Sequence, residues 1–489
     1  MITVLLVPLA TAALCYALRG PRASGLANVA GSLVLAAVSV PAVLGSASAP
    51  VRMGVLYMDA LSGYMVSIIV FLSLASSLYS MDYLRQELRS GLTDEKGMRR
   101  YYLLFHLFVF TMLLVVTTSD LAVMWIGIEA TTIVSALLIG LGAYKRELAI
   151  EAAWKYLILC TVGITFALLG IFIAYYASMA AGGEGTLDWT ALARMAKGLN
   201  PATMRLAFIF VLVGYGTKAG LAPVHNWLPD AHSEAPSPIS ALLSGVLLNT
   251  AFYGVLRFVS IVEPSTGSAF TGGLLMVFGM LSLALASLFI LVQQHYKRLL
   301  AYSSIEHMGI ISLGFGIGGP AGLYGALLHV LNHALAKPLM FFVSGSIQAR
   351  YGMKRIEEIS GVLSSWPLLG GIAFIGALAL AGTPPFNTFL SELAILRAGA
   401  DRKLWAVVFL SLLFLAVVFY GLLSSFGRML LGQAPPEGAE GRGVQRRAYP
   451  LLSSAVMLAL AAMVVALGIR VPGFVDGAIR SCIVVLGMR

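Results

Sequence analysis

Charge is what this sequence has least of. Of its 489 residues only 11% are Asp, Glu, Lys or Arg, while 59% are hydrophobic. A soluble domain carries about 25% charged residues, so a water-facing surface around one core is excluded. Apolar side chains this numerous must face lipid as well as one another. Cysteine is scarce too. Cys15, Cys160 and Cys482 are far apart and form no CxxC pair. That excludes an iron–sulfur cluster or a zinc site built by this chain alone, and the three read as small buried hydrophobes. Neither a P-loop nor a Rossmann glycine turn following a strand is present, so no cofactor is expected. The net charge of +10 brings no basic stripe with interleaved aromatics, which argues against nucleic acid. Long polar segments are lacking as well: 82–100, 182–200 and 432–449 read as loops.

What is present is a succession of apolar runs. A helix crossing the hydrocarbon layer needs about 20 mostly apolar residues. Such runs lie near 2–18, 26–46, 60–81, 101–118, 120–142, 154–178, 204–221, 237–261, 270–293, 303–317, 321–347, 366–396, 404–431 and 450–470. They predict an all-α polytopic membrane protein with about fourteen transmembrane helices. The first run, MITVLLVPLATAALCYAL, lacks a basic leader and a cleavage site, and so reads as a retained span.

Two stretches look broken. In GTKAGLAPVHNWLPDAHSEAPSP, Pro223, Pro229, Pro236 and Pro238 crowd the chain after Lys218; in ALAGTPPFNTFLSEL, Pro384 and Pro385 interrupt a long apolar run. Proline removes a backbone donor and clashes with the preceding turn. In lipid such breaks persist only inside protein or beside a water-filled cavity. Breaks at corresponding places in two halves point to inverted repeats. The expected organisation is N-terminal helices 1–3 in residues 1–100, a first five-helix repeat in 101–262, a second in 270–431, and helix 14 with a tail in 450–489. Loop charge orients the chain. With the N-terminus outside, the inside loops hold most of the Lys and Arg, including Arg19, Arg22, Arg85, Arg89, Lys145, Lys297, Arg298, Lys354, Arg442, Arg446 and Arg447. Both termini are therefore expected outside the cell membrane.

A charge at the bilayer centre costs at least about 2.5–3.5 kcal/mol, so the ionisable residues inside the runs are the candidate site. Glu129 lies mid-span, Lys218 near the first break, and Glu392 after the second. His329, His333 and Lys337 recur at i, i+4 and i+8, which places them on one helix face. A membrane proton path needs groups of these types. Burial lowers the pKa of a lysine and raises that of a carboxylic acid, a nearby opposite charge reverses both shifts, and histidine titrates near neutrality unaided. Unit charges 4 Å apart at an effective dielectric of 20 interact by about 4 kcal/mol, so moving one member of a Glu–Lys pair loads or unloads a proton on the other. Further candidates for the path or for access to it are Lys155, His225, His232, Asn249, Glu306 and His307. Each has a plainer reading. Lys155 sits where a lysine snorkels to the interface. Glu306 and His307 sit where a helix end is pinned, and His225 and His232 belong to a proline-rich turn. Asp120 reads as an N-cap. The HxxxH of His329 and His333 lacks an apparent third ligand, so no metal is expected.

These residues and their surroundings resemble the antiporter-like subunits shared by complex I, Mrp cation/proton antiporters and membrane-bound [NiFe]-hydrogenases. The most specific stretch is KAGLAPVHNWLPDAHSEAPSPISALLSGVLL, supported by YKRLLAYSSIEHMGI, HVLNHALAKPLMFFVSGSI and GTPPFNTFLSELAIL. Within that family MWIGIEATTIVSALLIG, WKYLILCTVGITFALLG and SSIEHMG look most like component F of hydrogenase-4 and formate hydrogenlyase. The resemblance implies fourteen helices with two inverted five-helix repeats. It implies Glu129 and Lys218 as a coupling pair, Lys337 as the central lysine of the second half beside His329 and His333, and Glu392 as its terminal carboxylate. Partners would be other membrane subunits, further antiporter-like ones included, lipid, and a peripheral redox arm with iron–sulfur and [NiFe] or NADH-oxidising subunits. One position departs from the pattern: where the family commonly reads GILLK, this chain reads GVLLN, with Asn249 in place of the lysine.

The expected function is translocation of H⁺ or Na⁺ driven by redox chemistry in partner subunits. The same residues fit an M- or N-type subunit of NADH-quinone oxidoreductase or an Mrp subunit, and, in a different class, a membrane scaffold whose buried charges do not conduct. The chain, purified alone, is expected to show no stoichiometric flavin, haem or iron–sulfur absorption; a redox chromophore in the visible spectrum would overturn that expectation.

Overall fold

The computed structural model describes residues 1–142, 146–182, 184–432 and 450–487. Lys145, Arg442, Arg446 and Arg447, which contribute to the expected charge bias, lie outside the described residues. Every apolar run is helical. In order, the helices are α1 (Ile2–Ala17), α2 (Pro21–Ser48), α3 (Ala60–Arg89), α4 (Glu95–Val116), α5 (Leu121–Ile139), α6 (Arg146–Ala180), α7 (Trp189–Met195), α8 (Pro201–Ala219), α9 (Leu228–Glu234) and α10 (Ser237–Leu242). Then follow α11 (Leu248–Thr266), α12 (Ser268–Leu291), α13 (Tyr296–Ile317), α14 (Gly319–Tyr351), α15 (Val362–Ser365), α16 (Pro367–Leu380), α17 (Asn387–Asp401), α18 (Trp405–Leu430), α19 (Leu451–Ile469) and α20 (Gly473–Leu486). A π-helical turn, Leu243–Leu247, joins α10 to α11 without interrupting the rod.

Among the described residues ten helices are long and apolar enough to cross a membrane, with Ser237–Thr266 taken as one. Two shorter apolar helices, α1 and α16, accompany them. The number falls below fourteen for identifiable reasons. Helices α16 and α17 are halves of a broken run, and α8 and α13 carry Lys218 and the Glu306–His307 pair respectively. Helix α13 also begins seven residues earlier than its apolar run, at Tyr296 instead of residue 303. Glu306 and His307 are therefore buried in mid-helix and pin no helix end.

The helices sort by burial. The most apolar stretch of Ser237–Thr266 is wholly enclosed and that of α14 nearly so, whereas α2, α6 and α18 turn large apolar side chains outward, among them Leu44, Phe172 and Phe409. In a bilayer that outer belt meets lipid or partner helices. Helix starts are capped by side chains the sequence places there. Asp59, Asp94, Asp120, Asp188 and Asn200 each accept a backbone N–H of the following first turn, satisfying donors that have no partner within the helix.

Both breaks occur where the prolines place them. Helix α8 stops at Gly220, whose φ of +75° suits glycine, and the chain resumes as the short helix α9 and then α10, the start of the Ser237–Thr266 rod. The second break separates α16 from α17. Each contains a cis X–Pro peptide, Ala222–Pro223 and Pro384–Pro385. Side chains take up the freed backbone groups, as lipid burial requires. Trp227 Nε1 donates to the Thr217 carbonyl at 2.7 Å, and Ser282 Oγ accepts from the Ala222 N–H at 2.8 Å. In the second break the Thr388 hydroxyl donates to the Ala379 carbonyl. The one glycine string with dinucleotide spacing, Gly314 to Gly319, spans the α13–α14 junction with no strand before it.

Two polar rims bound the bundle. On one, a hairpin of β1 (Val51–Met53) and β2 (Leu56–Met58) turns at Gly54 and bonds to the α4–α5 junction, Tyr57 N–H to Thr117 O at 2.8 Å and Ser119 N–H to Val55 O at 2.9 Å. Arg52 pairs with Asp188 there. Partial burial alone would raise the Asp188 carboxyl, but hydrogen bonds from Thr190 and Arg52 outweigh it and hold the group below the usual carboxylate range. The opposite rim gathers the start of α6, the α9 segment, the α12–α13 turn and the chain after α14, where His295 and Arg355 form a β-bridge.

A buried ion pair ties the first rim to the interior. Arg257 of α11 donates to Asp59 Oδ1 at 2.6 Å and to Ser62 Oγ at 3.1 Å, and its guanidinium lies 4.2 Å from the Trp189 ring centroid and 4.7 Å from that of Tyr253. Both charges are 1% exposed. Removing one partner of such a pair strands the other, at about 3–5 kcal/mol. Arg257→Met is expected to lower the thermal midpoint in detergent sharply. Arg52→Met, at an exposed pair worth about 0–1 kcal/mol, is the control that should barely move it; equal shifts would refute the distinction.

Candidate functional site

The first cluster forms where α5, α6 and α8 meet. Lys218 lies in the last turn of α8 and is fully buried. Its ammonium donates to Thr132 Oγ1 at 2.8 Å and to the Tyr156 hydroxyl, which in turn meets Ser135 Oγ at 2.6 Å. It also lies 4.5 Å from the Tyr156 ring centroid and 6.0 Å from that of Trp227. Glu129 is one turn before Thr132 on α5, half-buried, with Oε1 accepting from Thr161 at 2.7 Å and Oε2 unpartnered. Glu129 and Lys218 are electrostatic neighbours, but no ion pair joins them among the described residues. Each is instead bonded by hydroxyls, the carboxylate by Thr161 and the ammonium by Thr132 and Tyr156, an arrangement the implied coupling pair did not include.

The second cluster lies on α13, α14 and α17. The i, i+4, i+8 spacing of His329, His333 and Lys337 does place all three on the buried face of α14. Lys337 Nζ donates to Ser303 Oγ at 2.7 Å and to the Leu300 carbonyl at 3.3 Å. Ser303 reaches Glu306 Oε2 at 3.5 Å, and that oxygen lies 3.5 Å from His307 Nε2. His307 Nδ1 and His329 Nε2 are hydrogen-bonded at 2.8 Å, and His329 Nδ1 meets Ser391 Oγ at 2.9 Å. Asn332 fixes Ser391 from the other side at 2.9 Å and bonds reciprocally with Asn387. Ser391 adjoins Glu392, which is buried with Oε1 unpartnered. Lys337, the candidates Glu306, His307 and His329, and the unforeseen Ser303 and Ser391 thus form continuous polar ground between α13 and the second break.

Asn249 stands between the clusters. Its amide nitrogen donates to the Gly245 carbonyl at 2.9 Å and lies 3.5 Å from His333 Nδ1, while its Oδ1 is buried without a partner. His333 Nε2 is likewise unpartnered, and its ring lies 5.4 Å from that of His307. His232 is wholly buried and His225 nearly so, both in the first break. Lys155 is not brought to the axis: it is exposed on the rim, bonded to Glu151 at 2.6 Å and 3.7 Å from Asp230. Sequence reasoning missed Thr132, Tyr156, Ser303 and Ser391, because hydroxyls in apolar helices carry no signal by themselves. It also missed His106, a buried ring on α4 bonded to Asn28 at 3.0 Å.

Three groups here are of metal-ligand type. His307, His329 and Glu392 offer atoms within 4.8 Å of one another. The trio shares only His329 with the HxxxH pair; His307 comes from α13 and Glu392 from α17. However, the nitrogens that His307 and His329 turn toward each other already share a hydrogen bond, and the Lys337 charge acts on both rings.

Comparison with known proteins agrees with this picture. Residues 118–419 match the family described as NADH:quinone oxidoreductase/Mrp antiporter, transmembrane. The chain is 37% identical over 421 residues to a hydrogenase-4 component F homolog of Methylacidiphilum infernorum, covering 85% of each chain. It is 32% identical over 378 residues to NADH-quinone oxidoreductase subunit N of Desulforudis audaxviator, covering 76% of this chain and 72% of that one. In three dimensions it is similar to a chain of the archaeal membrane-bound sulfane sulfur reductase (TM-score 0.86, 25% identity, 99% of this chain and 97% of that one). The fold is also that of a chain in the Mrp complex from Dietzia sp. (TM-score 0.83, 21% identity, 98% and 95%). With its buried lysine–histidine–carboxylate axis and its two broken helices, the chain belongs to the NADH:quinone oxidoreductase/Mrp antiporter family of membrane subunits, as an antiporter-like member.

Proposed function

We propose that this chain moves protons across the membrane as the antiporter-like subunit of a complex I-related [NiFe]-hydrogenase or formate hydrogenlyase-type complex, driven by redox chemistry in partner subunits. The observation that carries the reading is the row Lys337, Ser303, Glu306, His307, His329, Ser391, each step 3.5 Å or shorter and each a hydrogen bond except the close approach of Glu306 Oε2 to His307 Nε2. Lysine, histidine and carboxylate exchange protons, and the serine hydroxyls both donate and accept. Sodium would need several oxygen ligands around one point, and nitrogen dominates here. The 37% relative named hydrogenase-4 component F homolog supports the hydrogenase setting. The relative named subunit N supports a second reading, a proton-pumping subunit of NADH-quinone oxidoreductase, in which the same residues play the same parts.

In this reading the chain crosses the inner membrane fourteen times with both termini outside. The inverted repeats occupy 101–262 and 270–431, flanked by 1–100 and 450–489. The apolar belt of α2, α6 and α18 meets lipid and other membrane subunits, and a peripheral arm supplies the iron–sulfur and [NiFe] or NADH chemistry. Glu129 and Lys218 load the first half, Asn249 positions water between the halves, and Lys337, His329, His333 and Glu392 serve the second.

Lys218→Met, Lys337→Met and Glu129→Gln are each expected to lower proton flux through the complex in proteoliposomes by at least about tenfold, with assembly retained. Normal flux in both lysine variants would leave a non-conducting scaffold as the reading. Asn249→Ala removes one hydrogen-bonding side chain, worth about 1 kcal/mol, and should slow flux about fivefold. Asn249→Lys sets a second cation beside His333 and should displace the pH profile of transport. Unchanged rate and pH profile in both would place position 249 off the path.

A further inference from the structure

Two buried charges remain that this path does not use. Glu87, near the C-terminal end of α3, and Lys297, in the first turn of α13, lie far apart in sequence and are both buried, at 6% and 3% exposure. Lys297 has three N–H donors and one protein acceptor, the Ala235 carbonyl at 2.7 Å. Glu87 acts on Lys297 electrostatically, but no ion pair joins them within 4 Å among the described residues. The Glu87 carboxyl bonds Tyr83, and its Oε1 is buried without a partner. A pair serving structure alone would be in direct contact, because buried charges left unsatisfied are costly. Water between the two would satisfy the remaining Lys297 donors and Glu87 Oε1.

The surroundings give the spacing a direction. Outward lies a crevice of about 250 Å³ lined by Asp230, Ser233, Glu234, His295, Arg298 and Lys354. Its Glu234 and Lys354 pair at 2.7 Å, and both act on Lys297. Inward lies His232, which has no hydrogen-bond partner on either ring nitrogen. Its ring plane is fixed by stacking on Phe341 at 5.2 Å and Trp227 at 6.4 Å. His232 feels both Lys297 and Lys337. The order from rim to axis is therefore the crevice, Lys297 with Glu87, His232, and Lys337.

We propose that Glu87, Lys297 and His232 form a proton inlet that loads Lys337 from the rim crevice without passing through Lys218. The inlet rests on the reading of Lys337 as a proton store. The alternative is that Lys297 only ties α13 to the α9–α10 turn through the Ala235 carbonyl. Arginine makes that tie equally well, but it does not release a proton in a protein.

The test measures proton flux driven by an imposed pH gradient in proteoliposomes holding the whole complex. Lys297→Met and Lys297→Arg are both expected to lower flux at least about tenfold, with complex yield unchanged, and Glu87→Gln is expected to slow it as well. Wild-type flux in Lys297→Arg overturns the inlet and leaves the structural tie. If Lys297→Met does not assemble, the isosteric Glu87→Gln decides, and normal flux there overturns the proposal. Lys337→Met is run alongside. If it blocks flux while the Glu87 and Lys297 variants do not, the inlet alone fails. If it too conducts normally, the relay reading fails and the inlet with it.

Discussion

The hydrocarbon layer offers no hydrogen-bond partners, and this fold is organised by that lack. Every polar group inside it must be met by the chain itself or by water held in the chain's interior. The breaks in α8 and α16–α17 are possible because Trp227 and Thr388 take the carbonyls set free. The same constraint confines charge to the inner helices and leaves the outer ones with apolar faces. The broken helices therefore sit against the polar axis, where their irregular backbone is shielded from lipid.

Buried charge is handled in two ways. Arg257 and Asp59 are in direct contact, with two aromatic rings beside the guanidinium. Arginine does not deprotonate, so this pair holds the fold and does no transport. Lys218 and Lys337 are treated differently. Each meets hydroxyls, Thr132 and Tyr156 in one case and Ser303 in the other; Glu306 lies one hydroxyl beyond Lys337, and Glu129 acts on Lys218 without an ion pair among the described residues. A lysine locked to a carboxylate keeps its proton, whereas one solvated by hydroxyls and biased by a carboxylate at a distance can lose it. Both lysines share this feature.

Much of the fold was legible because lipid burial leaves a strong mark in sequence. The apolar runs located every long helix, the proline clusters located both breaks, and the α14 spacing placed His329, His333 and Lys337 on one face. Boundaries were less legible where a helix continues beyond its apolar stretch. Helix α13 starts at Tyr296 because Lys297 and Arg298 belong to its first turn, and their charge hid that turn. The site was legible in its titratable members only. Ser303, Ser391, Thr132 and Tyr156 connect them, but one hydroxyl among many in apolar helices is ordinary until the partner helix is known. Glu87 and Lys297 were hidden for another reason. Both lie next to loop charges in sequence, and only the packing of α3 against the inner helices shows that they are buried.

The hydrogen bond between His307 and His329 carries one further consequence. Two neutral imidazoles joined nitrogen to nitrogen share a single proton, so the tautomer of one ring dictates that of the other, and through His329 Nδ1 the orientation of the Ser391 hydroxyl. When a proton arrives at one end and another leaves at the far end, every ring finishes in the opposite tautomer. The row then presents an acceptor where it had a donor, and a second proton cannot follow until the rings turn back. On the proposed proton path, transport through this segment would proceed in single, separated events, paced by the resetting of the rings as much as by the hops between them.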